Sequence, residues 1–252
     1  MDFKLDVEVL PQPDDESCGP TCLHAVYRYY GEPITLDRVV AEIERLDDGG
    51  TLAVLLGCHA LDRGYAATIY TYNLQVFDPS WRDLAKEQFD AKLAEQARAK
   101  TDRKLRAAIR AHRRFLDKGG KLRFEDLTTS LIQRTLARGT PILTGLSSTY
   151  LYRTRREVAR GKSLVSDDIA GYPMGHFVVL AGYDRVTRLV SVADPWGADE
   201  VVARPGSAWI GVDRVLNAIL LGILTYDASL LIIEPKKEKA PSRAGTHRRQ
   251  QP

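Results

Sequence analysis

Cysteine is scarce in this chain of 252 residues, which has only Cys18, Cys22 and Cys58. An odd number with no paired spacing excludes a disulfide framework and fits a reducing compartment. A surplus of one charge is also missing: 36 Lys and Arg against 33 Asp and Glu leave +3. That excess is too small to point to nucleic acid or an anionic membrane as partner. The longest apolar run, near Ala218 to Leu224, falls far short of the roughly 20 residues that a bilayer-spanning helix needs. The start, Met1-Asp2-Phe3-Lys4-Leu5-Asp6, puts acid where a signal peptide has a basic stretch followed by an apolar one. The expectation is a cytoplasmic protein without a membrane segment.

A content of 44% hydrophobic residues over this length can bury a full core. One domain is expected over 1–235, with a helical insertion at about 81–118 and a long loop at about 147–174. The tail 236–252, rich in Lys, Arg, Gln and Pro, reads as disordered. Leu5 to Leu10 alternates apolar and acidic residues as a half-buried strand does, and Pro11 and Pro13 end it. Gly19-Pro20 looks like a helix start, followed by a helix-compatible run from Thr21 to Tyr30. A second helix carries Val39, Val40, Ile43 and Leu46 and stops at Gly49-Gly50, and a third spans Thr51 to Leu61. Tyr65 to Tyr72 is β-rich, Asp126 is placed to cap a helix through Arg138, and Ile142 to Leu146 reads as a central strand. Phe177–Gly182 and Leu189–Ala193 form a predicted hairpin, Val212–Leu221 a helix and Leu230–Ile233 a last buried strand.

Four residues stand out by their contexts. Cys18 opens Cys18-Gly19-Pro20-Thr21 at the predicted helix start, where unpaired amides and the dipole favour a thiolate. His176 heads the run His176-Phe177-Val178-Val179, and Asp194 begins Asp194-Pro195-Trp196-Gly197 at the close of the neighbouring strand. Paired strands about 4.8 Å apart bring such an imidazole and carboxylate within reach. Gln12, six residues before Cys18, can aim its amide at the same oxygen as the Cys18 backbone N–H. Nucleophile, base, orienting acid and oxyanion donor are the parts that acyl transfer through a thiol requires.

The pattern of Gln12, five intervening residues, Cys18-Gly19-Pro20-Thr21, then His176-Phe177-Val178-Val179 and Asp194-Pro195 resembles the C39-like cysteine peptidases of the papain-like superfamily. The resemblance implies an α+β, papain-like fold, a helical lobe with the Cys at a helix N-terminus packed on a mainly antiparallel sheet. It further implies Cys18 as nucleophile, His176 as base, Asp194 as orienting acid and Gln12 as oxyanion donor, with no cofactor and no metal. The substrate would be a peptide or protein. The helical segment from Trp81 to Lys118 departs from a minimal domain of this kind, and without transporter segments no part in export-linked leader trimming is expected.

Other readings of the same residues stand beside this one. The acyl-enzyme could pass to an amine instead of water, or the scaffold could bind peptides without catalysis. Cys18 and Cys22, four residues apart, could ligate a metal with His24 or His59, but the set has no paired ligand spacing. Asp14, Asp15 and Glu16 are either a solvated loop or a device selecting a cationic substrate, and Tyr150, Tyr152 and Met174 are candidates for lining the cleft. A basic helix over 98–118, with Arg98, Lys100, Arg103, Lys104, Arg106, Arg110, Arg113 and Arg114, is either a solvated face or a docking face for an acidic protein partner.

Overall fold

Phe177–Leu180 and Leu230–Ile233 are apolar at every position, and strands of that kind must be covered on both faces. They are so covered in the computed structural model, which describes residues 3–46, 49–161, 163–196 and 207–236. Successive side chains alternate between two cores: Phe177, Val179, Leu231 and Ile233 face one, Val178, Leu180, Leu230 and Ile232 the other. The first core is closed by α1 (Cys18–Tyr29), α2 (Leu36–Glu42), α3 (Ala53–Asp62), α4 (Lys86–Ala99) and α5 (Arg103–Asp117). The second is closed by α6 (Thr129–Leu136), α7 (Ser148–Tyr152) and α8 (Val212–Leu221). The expected α+β architecture, a helical lobe on a mainly antiparallel sheet, is present, with a second helical layer on the far face.

The strands are β1 (Phe3–Lys4), β2 (Tyr65–Thr71), β3 (Lys121–Arg123), β4 (Ile142–Ser147), β5 (Glu157–Arg160), β6 (Ser163–Ser166), β7 (Gly175–Asp184), β8 (Leu189–Ala193), β9 (Ala208–Gly211) and β10 (Ser229–Pro235). The main sheet runs β3-β2-β10-β4-β7-β8-β9, antiparallel except for the parallel β2–β3 pair at one edge. Along one edge β7 serves two partners in turn: Gly175–Leu180 pair with β4, and Gly182–Tyr183 with β1. Gly145 of β4 has a packing reason, since a Cβ there would lie 2.5 Å from Cβ of Asp227.

Several sequence expectations are corrected. Leu5 to Leu10 is no strand: β1 is only Phe3–Lys4, although Leu5 N–H still reaches the Ala181 carbonyl at 2.7 Å. Its apolar residues pack without pairing, Leu5 against the second core and Val7 and Val9 against the first. The second helix ends at Glu42, well before Gly49-Gly50, because Ile43 turns extended. The basic helix expected over 98–118 is two helices broken at 100–102, since the Asp102 carboxylate accepts the Leu105 N–H at 2.6 Å and starts α5 afresh. Two of its arginines are occupied, Arg113 on Asp90 at 2.6 Å and Arg114 on Glu44 at 2.6 Å. Thr128, not Asp126, caps α6, accepting from Leu131 N–H at 3.2 Å. The supposed loop 147–174 contains α7 and the β5–β6 hairpin. The expected tail from 237 onward and Gly197 lie outside the described residues.

Candidate active site

Cys18 is the first residue of α1, as its Gly-Pro context implied. The turn before it is built by Asp14, whose Oδ1 accepts from Glu16 N–H at 2.9 Å and from the Ser17 hydroxyl at 2.7 Å. Arg45 clamps this turn, reaching Asp14 at 3.3 Å and Glu16 at 3.0 Å. Gly19 lets the helix start approach the sheet: a Cβ there would lie 2.6 Å from Thr51 Cγ2 and 3.2 Å from the Phe177 ring. One turn on, Cys22 is fully buried and donates its thiol to the Phe177 carbonyl at 3.2 Å. Burial holds that thiol well above its usual range.

His176 enters at the start of β7, and Asp194 follows the last residue of β8, whose Ala193 pairs with Val179. The two are 5% and 3% exposed, and His176 Nε2 donates to Asp194 Oδ1 at 2.7 Å. The same carboxylate accepts the Trp196 N–H at 2.7 Å and, on its other oxygen, the Tyr152 hydroxyl. Burial disfavours the Asp194 charge, yet the His176 imidazolium and these donors together hold its carboxyl below the usual range. Burial alone would likewise lower His176, but the Asp194 charge and hydrogen bond, with a further hydrogen bond to the Cys18 thiol, raise it to about 10. With Nε2 committed to Asp194, Nδ1 is the nitrogen left for Cys18. The Trp196 ring lies tilted against the imidazole, centroids 5.2 Å apart.

Gln12 is tied to the same corner, its backbone N–H donating to the Pro195 carbonyl at 2.9 Å. Its side-chain Nε2 donates to the Asp14 carbonyl at 2.8 Å, while Oε1 is buried without a partner among the described residues. Gln12, His176 and Trp196 line one cleft. His176 and Asp194 thus form a hydrogen-bonded pair, with the Cys18 thiol acting on the same imidazole and Gln12 beside it.

Sequence reasoning missed the part of Tyr152. It was placed among candidate cleft residues, but it sits at the end of α7 with its hydroxyl on Asp194. No local pattern marks it, since only the fold of 147–174 brings it there. The residues weighed for metal have other partners: His24 Nε2 bonds the Ile34 carbonyl at 3.1 Å, and His59 lies between Tyr27 and Glu42 at 2.8 and 3.0 Å.

A profile of the Peptidase C39-like family matches residues 4–205. The chain belongs to that family. This C39-like chain is similar to three solved structures. A chain assigned as a C39-like peptidase from Bacillus anthracis shares 14% identity, with 92% of this chain and 96% of that one covered at a TM-score of 0.45. The peptidase domain of Streptococcus ComA, a bi-functional ABC transporter, shares 13%, with 91% and 99% covered at 0.43. Xylellain, a cysteine protease from Xylella fastidiosa, shares 15%, with 93% and 86% covered at 0.43. Likenesses this remote say nothing of what the C39-like chain acts on. No match is found among the curated proteins. Among the described residues no helix is long and apolar enough to cross a membrane.

Proposed function

We propose that the protein is a cysteine peptidase or amidase that works through an acyl-enzyme on Cys18. The observation that carries this reading is Cys18 at a helix start acting on the His176 imidazole, with Asp194 bonded to the far side of that ring. The Cys18 thiol gives its proton to His176, and the thiolate attacks the substrate carbonyl, forming a C–S bond and an oxyanion. As the oxyanion collapses the C–N bond breaks, and His176 hands its proton to the departing nitrogen. Water then attacks the thioester, giving one proton to His176, and the C–S bond breaks to release acid and restore the resting pair. Two groups are placed to bind the oxyanion: the Cys18 backbone N–H at the helix start, and Gln12, whose amide has a second N–H beyond the one on Asp14. One such donor is worth about 10² to 10³ in rate. Asp194 and Tyr152 are positioning residues that hold the imidazole in one tautomer.

The test is incubation with a peptide mixture, acid quench and mass spectrometry. An acyl adduct on Cys18 and peptide products that vanish in Cys18→Ala are expected; undiminished hydrolysis by Cys18→Ala would sink the reading. Added glycinamide tells water from an amine as the acceptor by the mass of the released acyl half.

A further inference from the structure

The departing nitrogen takes its proton from His176, so the departing half of the substrate must lie on the His176 side of the thiol. A cleft on that side is lined by Gln12, His176 and Trp196, with Asp15 from the turn before Cys18 and Glu157 from β5 on the hairpin. Cys18 itself does not line it. Apart from the His176 imidazole, whose protons serve Asp194 and Cys18, the side chains that bring charge to this cleft are acids. The Ser148 hydroxyl proton is spent on the Met174 carbonyl at 3.2 Å. Of the three acids before Cys18, Asp14 and Glu16 both pair with Arg45, whereas neither Asp15 nor Glu157 has an ion-pair partner among the described residues. Burial and the Asp15 charge hold the Glu157 carboxyl above its ordinary range, the mark of two acids left facing each other. The cleft is small, about 40 Å³, room for a cationic head group, and the partly exposed Leu164 and Trp196 at its rim offer apolar surface for the methylene stem.

We infer that this cleft is the leaving-group subsite and takes a lysine or arginine immediately after the scissile bond, a specificity that rests on the acyl-enzyme reading above. An ammonium or guanidinium there would meet Asp15 and Glu157 together. A neutral or acidic residue would bring no positive charge to the two carboxylates.

The experiment has two arms. A chymotryptic peptide library, whose members keep internal lysine and arginine, is digested with the wild type and with an Asp15→Asn, Glu157→Gln double variant, and the new N-termini are sequenced by mass spectrometry. Lysine and arginine at the first position are expected to be enriched about tenfold by the wild type, and the enrichment to collapse in the double variant. Enrichment of neutral or acidic residues, or a preference unchanged by the double substitution, would overturn the subsite while leaving the hydrolase reading intact. In the second arm argininamide is titrated into Cys18→Ala protein by NMR, which needs no turnover. Binding that weakens about tenfold on adding the two substitutions supports the subsite even if no peptide is cleaved. Absence of binding, or binding indifferent to them, refutes it.

Discussion

Asp227 is a buried carboxyl whose replacement should make the protein more stable at alkaline pH. It lies 7% exposed on the turn before β10, with one oxygen accepting from the Thr225 hydroxyl at 3.1 Å and the other, Oδ1, without a partner among the described residues. Burial raises its pKa from 3.8 to about 7, against the smaller opposing pull of Thr225, Lys104 and His176. A raised carboxyl pKa means that the folded state holds the proton more tightly. Its stability is therefore fully present below 3.8 and is lost as pH rises through about 7. The difference amounts to about 4 kcal/mol by pH 8. Asp227→Asn keeps the shape and cannot ionise, at a cost of about 1–3 kcal/mol for an amide donor left without a partner. Urea unfolding of both proteins from pH 5 to pH 8.5 reads the difference. The variant should lie within about 1 kcal/mol of the wild type at pH 5 and be stronger by about 1–3 kcal/mol at pH 8. Parallel stability profiles would refute the argument, because the titration of His176 and Asp194 is common to both proteins.

Asp194→Asn removes the charge that keeps His176 protonated. Because that imidazole is raised, its stabilising share is present below 6.5 and lost as pH rises through about 10. The variant should shift the alkaline limb of Cys18 alkylation down by about 2 units or more, and an unmoved limb would count against the pair. Tyr152→Phe, which deletes a donor to Asp194, should lower kcat about tenfold with KM little changed. It should also move the pH profile, where a purely structural role would move only the melting temperature. Iodoacetamide should label Cys18 far ahead of Cys22 and Cys58, both buried with their thiols raised by burial, as peptide mapping after short exposure would show. Gly145→Ala puts a Cβ 2.5 Å from that of Asp227 and should cost about 1–3 kcal/mol in denaturant unfolding.

What could be read from the sequence was what local chemistry decides. The helix start at Cys18, the β7–β8 hairpin and α8 over Val212–Leu221 are set by Gly-Pro chemistry, apolar runs and periodicity within a few residues, and they stand where expected. The reading failed where a short polar side chain decided the matter. Asp102 split one helix into two, and Thr128 rather than Asp126 began α6. Leu5 to Leu10 has the period of a strand, but β7 spends its edge on β4 and leaves only Gly182–Tyr183 for β1. Pairing depends on a free edge as well as on a pattern.

The largest failure, at 147–174, bears on how the site works. A polar stretch without period looked like one loop because α7 is five residues long and the β5–β6 strands four each, too short for periodicity to register. Within those few residues Tyr152 reaches back to Asp194 while Glu157, five positions on, stands in the wall of the cleft beside His176. The backbone between them turns at Arg153, which holds a left-handed φ of 57°, a conformation uncommon outside glycine. The group that steadies the carboxylate and the group that faces the leaving half of the substrate are therefore joined by one tight turn. A substrate contact at Glu157 has only four intervening residues to cross before it reaches the support of the imidazole. Substitutions at Glu157 should accordingly touch kcat as well as KM, because the cleft wall and the positioning tyrosine belong to one short piece of chain.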